Sequence, residues 1–338
     1  MTESQSNVKA VALMSSGLDS LIAAKIVKDF GIGVHGVCFY FQFDNLAEKN
    51  RSREIQDIVH PLGISVTTID ISEEFLSILL QPQHGYGSGM NPCIDCHIFM
   101  IRKAAELMDP MGAQFLLTGE VVGQRPMSQT RPMLLHMDKV SGLKGFILRP
   151  LSAKLLPLTL PEEKRWVDRQ KLYDISGRSR KRQIELAHEL GIHRFQSPAG
   201  GCILTEPNYS RRLKAFITHR GKDEVTVDEL KLLRLGRHFW PVDHLHVVVG
   251  RDEKDNRALE PFQDGRWVFK PANTHRGPLV LAKGLKDEDD RKLVARITAR
   301  YCDKGKESDV SIHFRGEGEE RDLRVSPSSE SNLKKWLV

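Results

Sequence analysis

The chain of 338 residues is 40% hydrophobic and 28% charged, with a formal net charge of +6 and a pI near 9.0. Its length exceeds that of an average domain, so two or three units are expected. Neither a membrane-length apolar run nor a signal-peptide core is visible, which predicts a cytoplasmic protein without membrane contacts. The moderate positive charge permits a polyanionic partner without requiring one.

Strands and helices alternate through the first half of the chain. Apolar segments predict strands at residues 8–15, 34–43, 64–72 and 113–120, and helices are predicted at 18–31, 47–63 and 96–108. This order predicts an α/β fold with a doubly wound parallel sheet. Ligands of such sheets lie beyond the carboxyl ends of the strands, so the loops after the first, second and fourth strands form the candidate site.

The second half of the chain changes in pattern, which predicts a second domain. We expect the doubly wound domain at residues 1–205, with a basic helical appendage at 150–200, then a linker at 206–237 and a smaller α+β domain at 238–338. In the last region, strands are predicted at 243–251, 266–271, 277–284 and 309–315 around a helix at 287–302. Residues 315–322, RGEGEERD, are interpreted as a solvated turn.

The junction between the first strand and the first helix carries the sequence SSGLDS, residues 15–20. A helix N-terminus offers unpaired N–H groups and the positive end of the helix dipole, which suits a pyrophosphate. Gly17 lets the backbone approach phosphates, the hydroxyls of Ser15 and Ser20 can donate, and Asp19 can hold Mg²⁺ or cap the helix. The alternative is a helix that these side chains merely cap.

This hexapeptide resembles the SGGxDS signature of PP-loop ATP pyrophosphatases, which split ATP between its α and β phosphates. Ser16 stands where that family usually has glycine. The resemblance implies ATP and Mg²⁺ as cofactors. It also implies ATP contacts from six consecutive residues: Ser15, Ser16, Gly17, Leu18, Asp19 and Ser20.

A second stretch, TGEVVGQRPMSQT at residues 118–130, resembles the TGExxGQxxSQT segment of tRNA 4-thiouridine synthetases. The resemblance implies nucleotide contacts from Thr118, Gly119 and Gln124, and Phe39 in the second strand is a further candidate for ATP binding. Gly119 is expected to let an adenine or ribose approach closely. With ILRPLSAK, which resembles the family's RPL segment, the likeness extends over roughly residues 8–195.

The five cysteines are widely spaced and odd in number, which argues against a disulfide framework. In NPCIDCH, Cys93 and Cys96 precede a predicted helix, where both sulfurs can reach one metal and the helix dipole lowers the thiol pKa. This stretch resembles the NPCxxC of tRNA 2-thiouridylases, and SPAGGCILTEP around Cys202 resembles their second active cysteine. Related thiolases with three such cysteines carry a [4Fe-4S] cluster. The resemblance implies that Cys93, Cys96 and Cys202 hold this cluster and are catalytic together with Asp19.

Other uses of these thiols stay open. Cys93 or Cys96 can form a persulfide pair with Cys202, in which one cysteine carries sulfur and the other releases it as a disulfide. A zinc site with His97 as an additional ligand is a further alternative. Cys38 is expected to be a core residue, and Cys302 is assigned no role.

A basic stretch in the appendage is the candidate track for an RNA backbone, with a solvated helix face as the alternative for any single charge. Its predicted RNA-binding residues are Lys164, Arg165, Arg169, Arg178, Arg180, Lys181 and Arg182. The C-terminal region, with HVVVGRDEKDN, loosely resembles the NFACT-R type of RNA-binding domain. Its aromatic residues offer stacking surfaces for bases, although core packing is the stronger expectation for most of them: Phe239, Trp240, Trp267 and Phe269.

Together these motifs predict an ATP-dependent tRNA thiolation enzyme. ATP would adenylate a uridine carbonyl oxygen, and sulfur from the three-cysteine site would displace AMP, with 4-thiouridine favoured over 2-thiouridine. The expected partners are tRNA and either sulfide or a cysteine-desulfurase-type donor, and a homodimer is a further expectation. Two alternatives remain. One is a PP-loop ligase or amidating enzyme that uses zinc and a small substrate, and the other is a non-catalytic RNA-binding protein with a decayed loop, for which Ser16 is the hint.

Overall fold

A computed structural model of the protein describes residues 7–44, 48–196, 201–272, 276–303 and 309–338. The chain divides into two units, Met1–Cys202 and Ile203–Val338. Among the described residues, no helix combines the length and the apolar character that crossing a membrane requires.

The first unit alternates strands and helices. Its strands are β1 (Lys9–Leu13), β2 (Gly33–Tyr40), β3 (Ser65–Asp70), β4 (Phe115–Thr118) and β5 (Ile147–Leu148). Its helices are α1 (Leu18–Asp29), α2 (Glu48–Val59), α3 (Ser72–Leu80), α4 (Cys93–Glu106), α5 (Met108–Met111), α6 (Arg131–Val140), α7 (Leu160–Glu163) and α8 (Lys181–Glu189). Short 3₁₀ helices cover His60–Leu62, Ala153–Leu155 and Arg169–Lys171.

The five strands of the first unit form one parallel sheet in the order β3-β2-β1-β4-β5. All four residues of β4 and the middle three of β1 are buried, as expected for central strands that are covered on both faces. The predicted doubly wound parallel sheet is confirmed. Because the strand order reverses between β1 and β4, the loops that follow these two strands border the topological switch point, where ligands of such folds bind.

The second unit is built on an antiparallel sheet. Its strands are β6 (Arg237–Val242), β7 (Leu245–Val249), β8 (Trp267–Pro271), β9 (Val280–Lys283), β10 (Val310–Gly316) and β11 (Glu319–Val325), in the order β11-β10-β8-β9-β7-β6. Its helices are α9 (Pro207–Arg220), α10 (Val227–Leu232), α11 (Glu253–Leu259), α12 (Glu288–Arg300) and α13 (Glu330–Trp336), with 3₁₀ turns at Ile203–Thr205 and Glu260–Phe262. This is the expected smaller α+β architecture.

Two segments of the second unit differ from their predicted structure. Residues 206–237, expected to be a linker, contain α9 and α10, because Leu213 and Phe216 on α9 are buried with other apolar side chains. Residues 315–322, expected to be a solvated turn, include the paired ends of β10 and β11. The turn itself is limited to Glu317 and Gly318, which both have the positive φ that a two-residue hairpin turn requires.

The aromatic residues considered as base-stacking surfaces are core residues of the second unit. Each is at most 7% exposed: Phe239, Trp240, Trp267 and Phe269. Three of them pack in one apolar cluster with Val294 and Ile297 of α12. Stacking of a base on these rings would therefore require the core of the unit to open.

Candidate active site at the carboxyl edge of the parallel sheet

The loop between β1 and α1 is held by its own hydroxyl groups. The Ser20 hydroxyl lies 2.8 Å from the Ser15 carbonyl oxygen and 2.9 Å from that of Gly17, and it accepts the Ser15 N–H at 3.1 Å. The Ser15 hydroxyl accepts the Gly17 N–H at 3.2 Å. Gly17 is the N-cap of α1 and no side chain caps it, so the amides of the first turn are available to an anion.

Ser16, the departure from the PP-loop signature, does not require the freedom of glycine. The non-glycine residues with positive φ in the described structure are Arg165 and Glu317, so Ser16 has a backbone conformation that any L residue can adopt. Its carbonyl accepts the N–H of Gln196 at 2.8 Å. The serine is compatible with an intact loop, so Ser16 does not support the alternative of a non-catalytic protein with a decayed loop.

The Asp19 carboxylate accepts hydrogen bonds from two side chains that are distant from it in the sequence. Its Oδ2 accepts from Gln124 Nε2 at 2.8 Å and from Arg180 Nη2 at 3.3 Å. Its Oδ1 is buried and has no hydrogen-bond partner among the described residues. A buried carboxylate oxygen without a donor is a place where a hard cation can bind. Asp19 is thus used away from the helix backbone and does not cap α1.

Gly119, which is predicted to allow the close approach of an adenine or ribose, has the backbone of α1 as its close neighbour. A Cβ at this position would lie 2.4 Å from Ser20 N and 2.5 Å from Asp19 C, because the loop after β4 packs directly against the first turn of α1. A side chain at position 119 would therefore clash with the backbone of α1. The glycine allows the two loops at the switch point to touch.

Three other residues that are expected to contact ATP are buried in the first unit. Phe39 packs in an apolar cluster with Val11 on one face of the sheet, and Leu18 is 2% exposed in the core beneath α1. Thr118, at the end of β4, is buried and donates from Oγ1 to Glu120 Oε2 at 3.1 Å. Their predicted contacts with ATP stay predictions, and the structure shows that these side chains are buried.

Cys93 begins α4, and His97 lies one helical turn further on the same side. Burial raises the pKa of the Cys93 thiol, but the hydrogen bond and charge of His97, with smaller contributions from Ser128 and Arg125, lower this pKa to about 7. Burial lowers the pKa of His97, but its bonds to Cys93 and Glu120 raise it to about 9. Between pH 7 and pH 9 the two side chains form a thiolate–imidazolium pair, as in an activated cysteine.

A buried ion network lies behind His97. Its Nδ1 is 2.9 Å from Glu120 Oε1, and Glu120 Oε2 accepts from Arg149 Nε at 2.9 Å. Arg149 is 1% exposed and also donates to both carboxylate oxygens of Asp138, at 2.7 and 2.9 Å. Burial raises the pKa of Glu120, but the charge of Arg149 and the bond to His97 lower it to about 2. Glu120 is therefore ionised and fixes the orientation of His97.

Cys96 and Cys202 lie in the same electrostatic neighbourhood as Cys93. Burial raises the pKa of the Cys96 thiol well above its usual value, and the negative charges of Cys202 and Cys93 raise it further. The charges of Cys93 and Cys202 therefore both act on the Cys96 thiol. In the described part of the chain, no three His, Cys, Asp or Glu side chains converge as a preformed metal site. Residues 197–200, which precede Cys202 in its motif, lie outside the described residues.

The two ends of the chain match the models of two different protein families. Residues 5–154 match the family described as "Thiamine biosynthesis protein (ThiI)", and residues 236–337 match the "NFACT protein RNA binding domain". The resemblance to PP-loop thiolation enzymes is confirmed. The NFACT-R-type C-terminal region is confirmed as well. We refer below to the first match as the ThiI-type region and to the second as the NFACT-R region.

Individual relatives are distant. The "tRNA-specific 2-thiouridylase MnmA 2" of Thermoanaerobacter sp. (strain X514) is 23% identical over 331 residues, covering 87% of this chain and 85% of the relative. A solved structure titled "Crystal structure of a 4-thiouridine synthetase - RNA complex with bound ATP" is 19% identical with a TM-score of 0.35, covering 55% of this chain and 52% of its own. The "U34-tRNA thiolase NcsA from Methanococcus maripaludis with its [4Fe-4S] cluster" is 14% identical with a TM-score of 0.34, covering 68% and 73%.

The basic residues that follow the ThiI-type region do not share one environment. Arg180 bonds Asp19, Arg169 bonds the Glu162 carboxylate, and Arg182 pairs with two carboxylates of its own helix. The others have no ion pair among the described residues: Lys164, Arg165, Arg178 and Lys181. Among the predicted RNA-binding residues, Arg180 is thus the one that contacts the Asp19 carboxylate in the described structure.

Sequence reasoning assigns no role to the carboxylate–arginine network, although two of its members lie in recognised motifs. Glu120 is the third residue of TGEVVGQ, and Arg149 lies in ILRPLSAK. Charged residues at the ends of predicted buried strands are a signal that could find them, because buried charges need partners. The contact of Arg180 with Asp19 spans 161 positions and has no such local signal.

Proposed function

We propose that the protein is an ATP-dependent enzyme that thiolates uridine in tRNA. The match of residues 5–154 to the ThiI family and the likeness to a tRNA-specific 2-thiouridylase over 87% of the chain support this proposal. We further propose 4-thiouridine as the product, because the loop after β4 resembles that of tRNA 4-thiouridine synthetases. The NFACT-R region is proposed to contribute to tRNA binding.

One loop, residues 119–130, carries the proposal because it touches both halves of the site. Gly119 packs against the first turn of α1, and Gln124 bonds the Asp19 carboxylate. Between them, Glu120 bonds His97, which stabilises the Cys93 thiolate. A phosphate-binding turn and an activated thiol that are both supported by one short segment suit adenylation followed by sulfur transfer.

The nucleotide side of the site fits Mg²⁺ and ATP. The Asp19 carboxylate, with its unpartnered Oδ1, would hold the metal, and the amides of α1 and the Arg180 guanidinium would bind phosphate oxygens. Bound Mg²⁺ would neutralise phosphate charge. Gln124 keeps Asp19 in place through its 2.8 Å bond when Arg180 turns toward a phosphate.

We propose that Cys93, Cys96 and Cys202 hold a [4Fe-4S] cluster. The donor set fits, since iron–sulfur clusters take thiolate ligands and the three thiols interact strongly enough as charges to shift the Cys96 pKa. The cluster, when bound, would supply an iron site that carries the incoming sulfide. The Glu120–His97 pair would keep Cys93 deprotonated for binding.

The Cys93–His97 pair also favours the persulfide route as a second candidate. In this route the terminal sulfur of a Cys93 persulfide attacks the adenylated carbon, and AMP leaves with the electrons of the C–O bond. The Cys202 thiolate then attacks the Cys93 sulfur, which releases the thionucleoside and forms a Cys93–Cys202 disulfide. An external thiol reduces the disulfide and restores both cysteines.

The proposal is tested with protein purified anaerobically and analysed for iron and acid-labile sulfide. Incubation with tRNA, ATP and sulfide should give 4-thiouridine by nucleoside mass spectrometry, with AMP and pyrophosphate in equal amounts. Cys202→Ala should abolish product without loss of ATP binding, whereas Cys302→Ala should retain activity. Product from iron-free protein with a persulfide donor would select the second route. Absence of thionucleoside with every donor would refute the function.

Arg180→Gln tests the nucleotide side separately. If the guanidinium binds a phosphate, its loss should raise the Kd for Mg²⁺–ATP about tenfold or more, since a hydrogen bond to a charged group is worth roughly 1.5–3 kcal/mol. The measurement is calorimetric titration with a non-hydrolysable ATP analogue. Lys181→Gln is the matched control, because Lys181 is the next residue, is exposed, and has no ion pair among the described residues. Equal affinities in the two variants would contradict the assignment.

A further inference from the structure

Two histidines and an aspartate form a cluster next to the candidate active site, with Asp95 between Cys93 and Cys96 on α4. His84, in the segment between α3 and α4, has its Nδ1 2.7 Å from Asp95 Oδ1, and its backbone N–H donates to Asp95 Oδ2 at 2.9 Å. Its Nε2 lies 2.9 Å from the Nε2 of His136 on α6. The two rings meet nearly edge to face, with 78° between their planes.

The hydrogen bonds to Asp95 determine where the lone pair of His84 lies. A carboxylate only accepts, so the Nδ1 of His84 carries the proton and its Nε2 carries the lone pair that faces His136. His136 is exposed, and its Nδ1 can take a proton from water. At the present spacing the Nε2–H of His136 donates to the Nε2 of His84, and when that proton moves to Nδ1 the Nε2 lone pairs of both rings face the same small region between the rings.

We infer that His84 and His136 form a binding site for a divalent transition-metal ion of the Zn²⁺ class, with Asp95 as the partner that orients His84. A metal-bound imidazole that gives its other N–H to a carboxylate is a common arrangement. Zinc–nitrogen bonds of 2.0–2.1 Å in tetrahedral geometry place two ligand nitrogens roughly 3.3 Å apart, so a small rotation of the His136 ring opens the present spacing enough.

The site would be open and exchangeable. No third His, Cys, Asp or Glu among the described residues joins the two imidazoles, so water would complete the coordination. Imidazole ligands select Zn²⁺, Cu²⁺ and Ni²⁺ over Mg²⁺ and Ca²⁺. A bound ion would tie the segment that leads to Cys93 to helix α6. This inference does not depend on the proposed thiolation, and its test contains no nucleotide or tRNA.

The test is a calorimetric titration of metal-free, full-length protein with ZnCl₂. Because the thiols of the candidate active site compete for zinc, the titration uses a Cys93→Ser, Cys96→Ser, Cys202→Ser variant as its background. This variant should bind one equivalent of Zn²⁺. His136→Gln in the same background should remove that equivalent, and Asp95→Asn should weaken it about 10- to 100-fold, as the loss of a carboxylate partner does.

His60→Gln, which replaces another exposed histidine of the same unit, is the control and should leave zinc binding unchanged. His136 is itself exposed, so its substitution should not disturb folding, which circular dichroism checks. If the background variant binds no zinc, or if His136→Gln binds as much as the background, the site does not exist. If MgCl₂ gives the same binding as ZnCl₂, the imidazoles are not the ligands.

Discussion

The two units of the protein each bury histidine side chains, with opposite consequences for their charge. In the first unit, contacts raise the pKa of His97 to about 9. In the second unit, burial and nearby positive charge lower the pKa of His238 to about 3 and that of His246 well below its usual value. Burial alone disfavours the imidazolium in both places, so the difference arises from the neighbours.

The neighbours of His97 are an ionised carboxylate and a thiol that loses its proton. Those of His238 are the Leu235 carbonyl at 2.8 Å and the His246 ring at 3.0 Å, with the positive charge of Arg212 nearby. His246 in turn stacks on Trp240, with 4.5 Å between ring centroids. The second cluster is a neutral packing unit, whereas the first is a charged network aimed at a cysteine. The charge of the neighbouring groups therefore explains why the pKa of His97 is raised and those of His238 and His246 are lowered.

The largest expected effect comes from removing the cation that supports the charged network. Arg149→Met leaves Glu120 and Asp138 buried without their shared partner, so the first unit should lose about 3–5 kcal/mol of stability. Hydrogen exchange of the β1 and β4 amides under native conditions measures this loss for the first unit alone. Exchange rates equal to those of wild type would contradict the claim that Arg149 stabilises the charged network.

Arg182→Met is the matched control for this substitution. Arg182 pairs with Glu185 and Glu189, but its side chain is 45% exposed, so water can solvate the partners that remain. Exchange of the same amides should stay close to wild type. A loss of stability as large as that of the Arg149 variant would show that the effect does not depend on burial of the network.

The neutral histidines should make the second unit sensitive to acid. Their folded pKa values lie below the unfolded value of about 6.5, so the unfolded state binds more protons as the pH falls below 6.5. Stability present above pH 6.5 should decrease by about 1.4 kcal/mol per pH unit for each histidine. Hydrogen exchange of β6 and β7 amides at pH 6.5, 6.0 and 5.5 measures the slope, and a flat profile would contradict neutral burial.

The charged pair of the first unit should add little pH dependence between pH 7 and 9. The raised pKa of His97 contributes stability that is present below pH 6.5 and is lost as the pH rises through 9. The lowered pKa of Cys93 contributes stability that is present above pH 9 and is lost as the pH falls through 7. Between these limits the folded pair holds its proton on His97 and the unfolded pair holds one on Cys93, so proton uptake cancels.

The sequence predicts the parallel sheet well because its strands are apolar on both faces and its turns carry glycine. The β1–α1 junction and the α+β pattern of the last hundred residues can be predicted from the sequence for the same reason. Helices α3 and α6 are not predicted: α3 is a short apolar segment of nine residues that directly follows a predicted strand, and α6 has few buried apolar residues among its polar ones. The linker prediction fails at α9 because one buried apolar stripe is weak among its many charges.

The site is predictable only where local chemistry suffices. Asp19, Gln124 and the cysteines belong to recognisable motifs, and in the structure Gln124 bonds Asp19 while the charges of Cys93 and Cys202 act on Cys96. The close contact of Gly119 with the backbone of α1 depends on how two loops pack and is not predicted from the sequence. The position of Arg180 depends on the fold of the whole unit. Long-range pairing of this kind leaves no pattern in a single sequence.

The smallest effect tests the link between Glu120 and the thiol. In Glu120→Gln, His97 loses the carboxylate at 2.9 Å that favours its charged form, so the pKa of Cys93 should rise from about 7 toward its usual value. Because only the thiolate is alkylated, the iodoacetamide rate of Cys93 at pH 7, measured by peptide mapping, should fall about tenfold. Glu106→Gln, on the exposed end of α4, should keep the wild-type rate, and all three proteins should react alike at pH 10. An unchanged rate at pH 7 in Glu120→Gln would mean that burial and the helix dipole set the pKa of the Cys93 thiol without the network. The charge of Glu120 would then not account for the difference between the two histidine clusters.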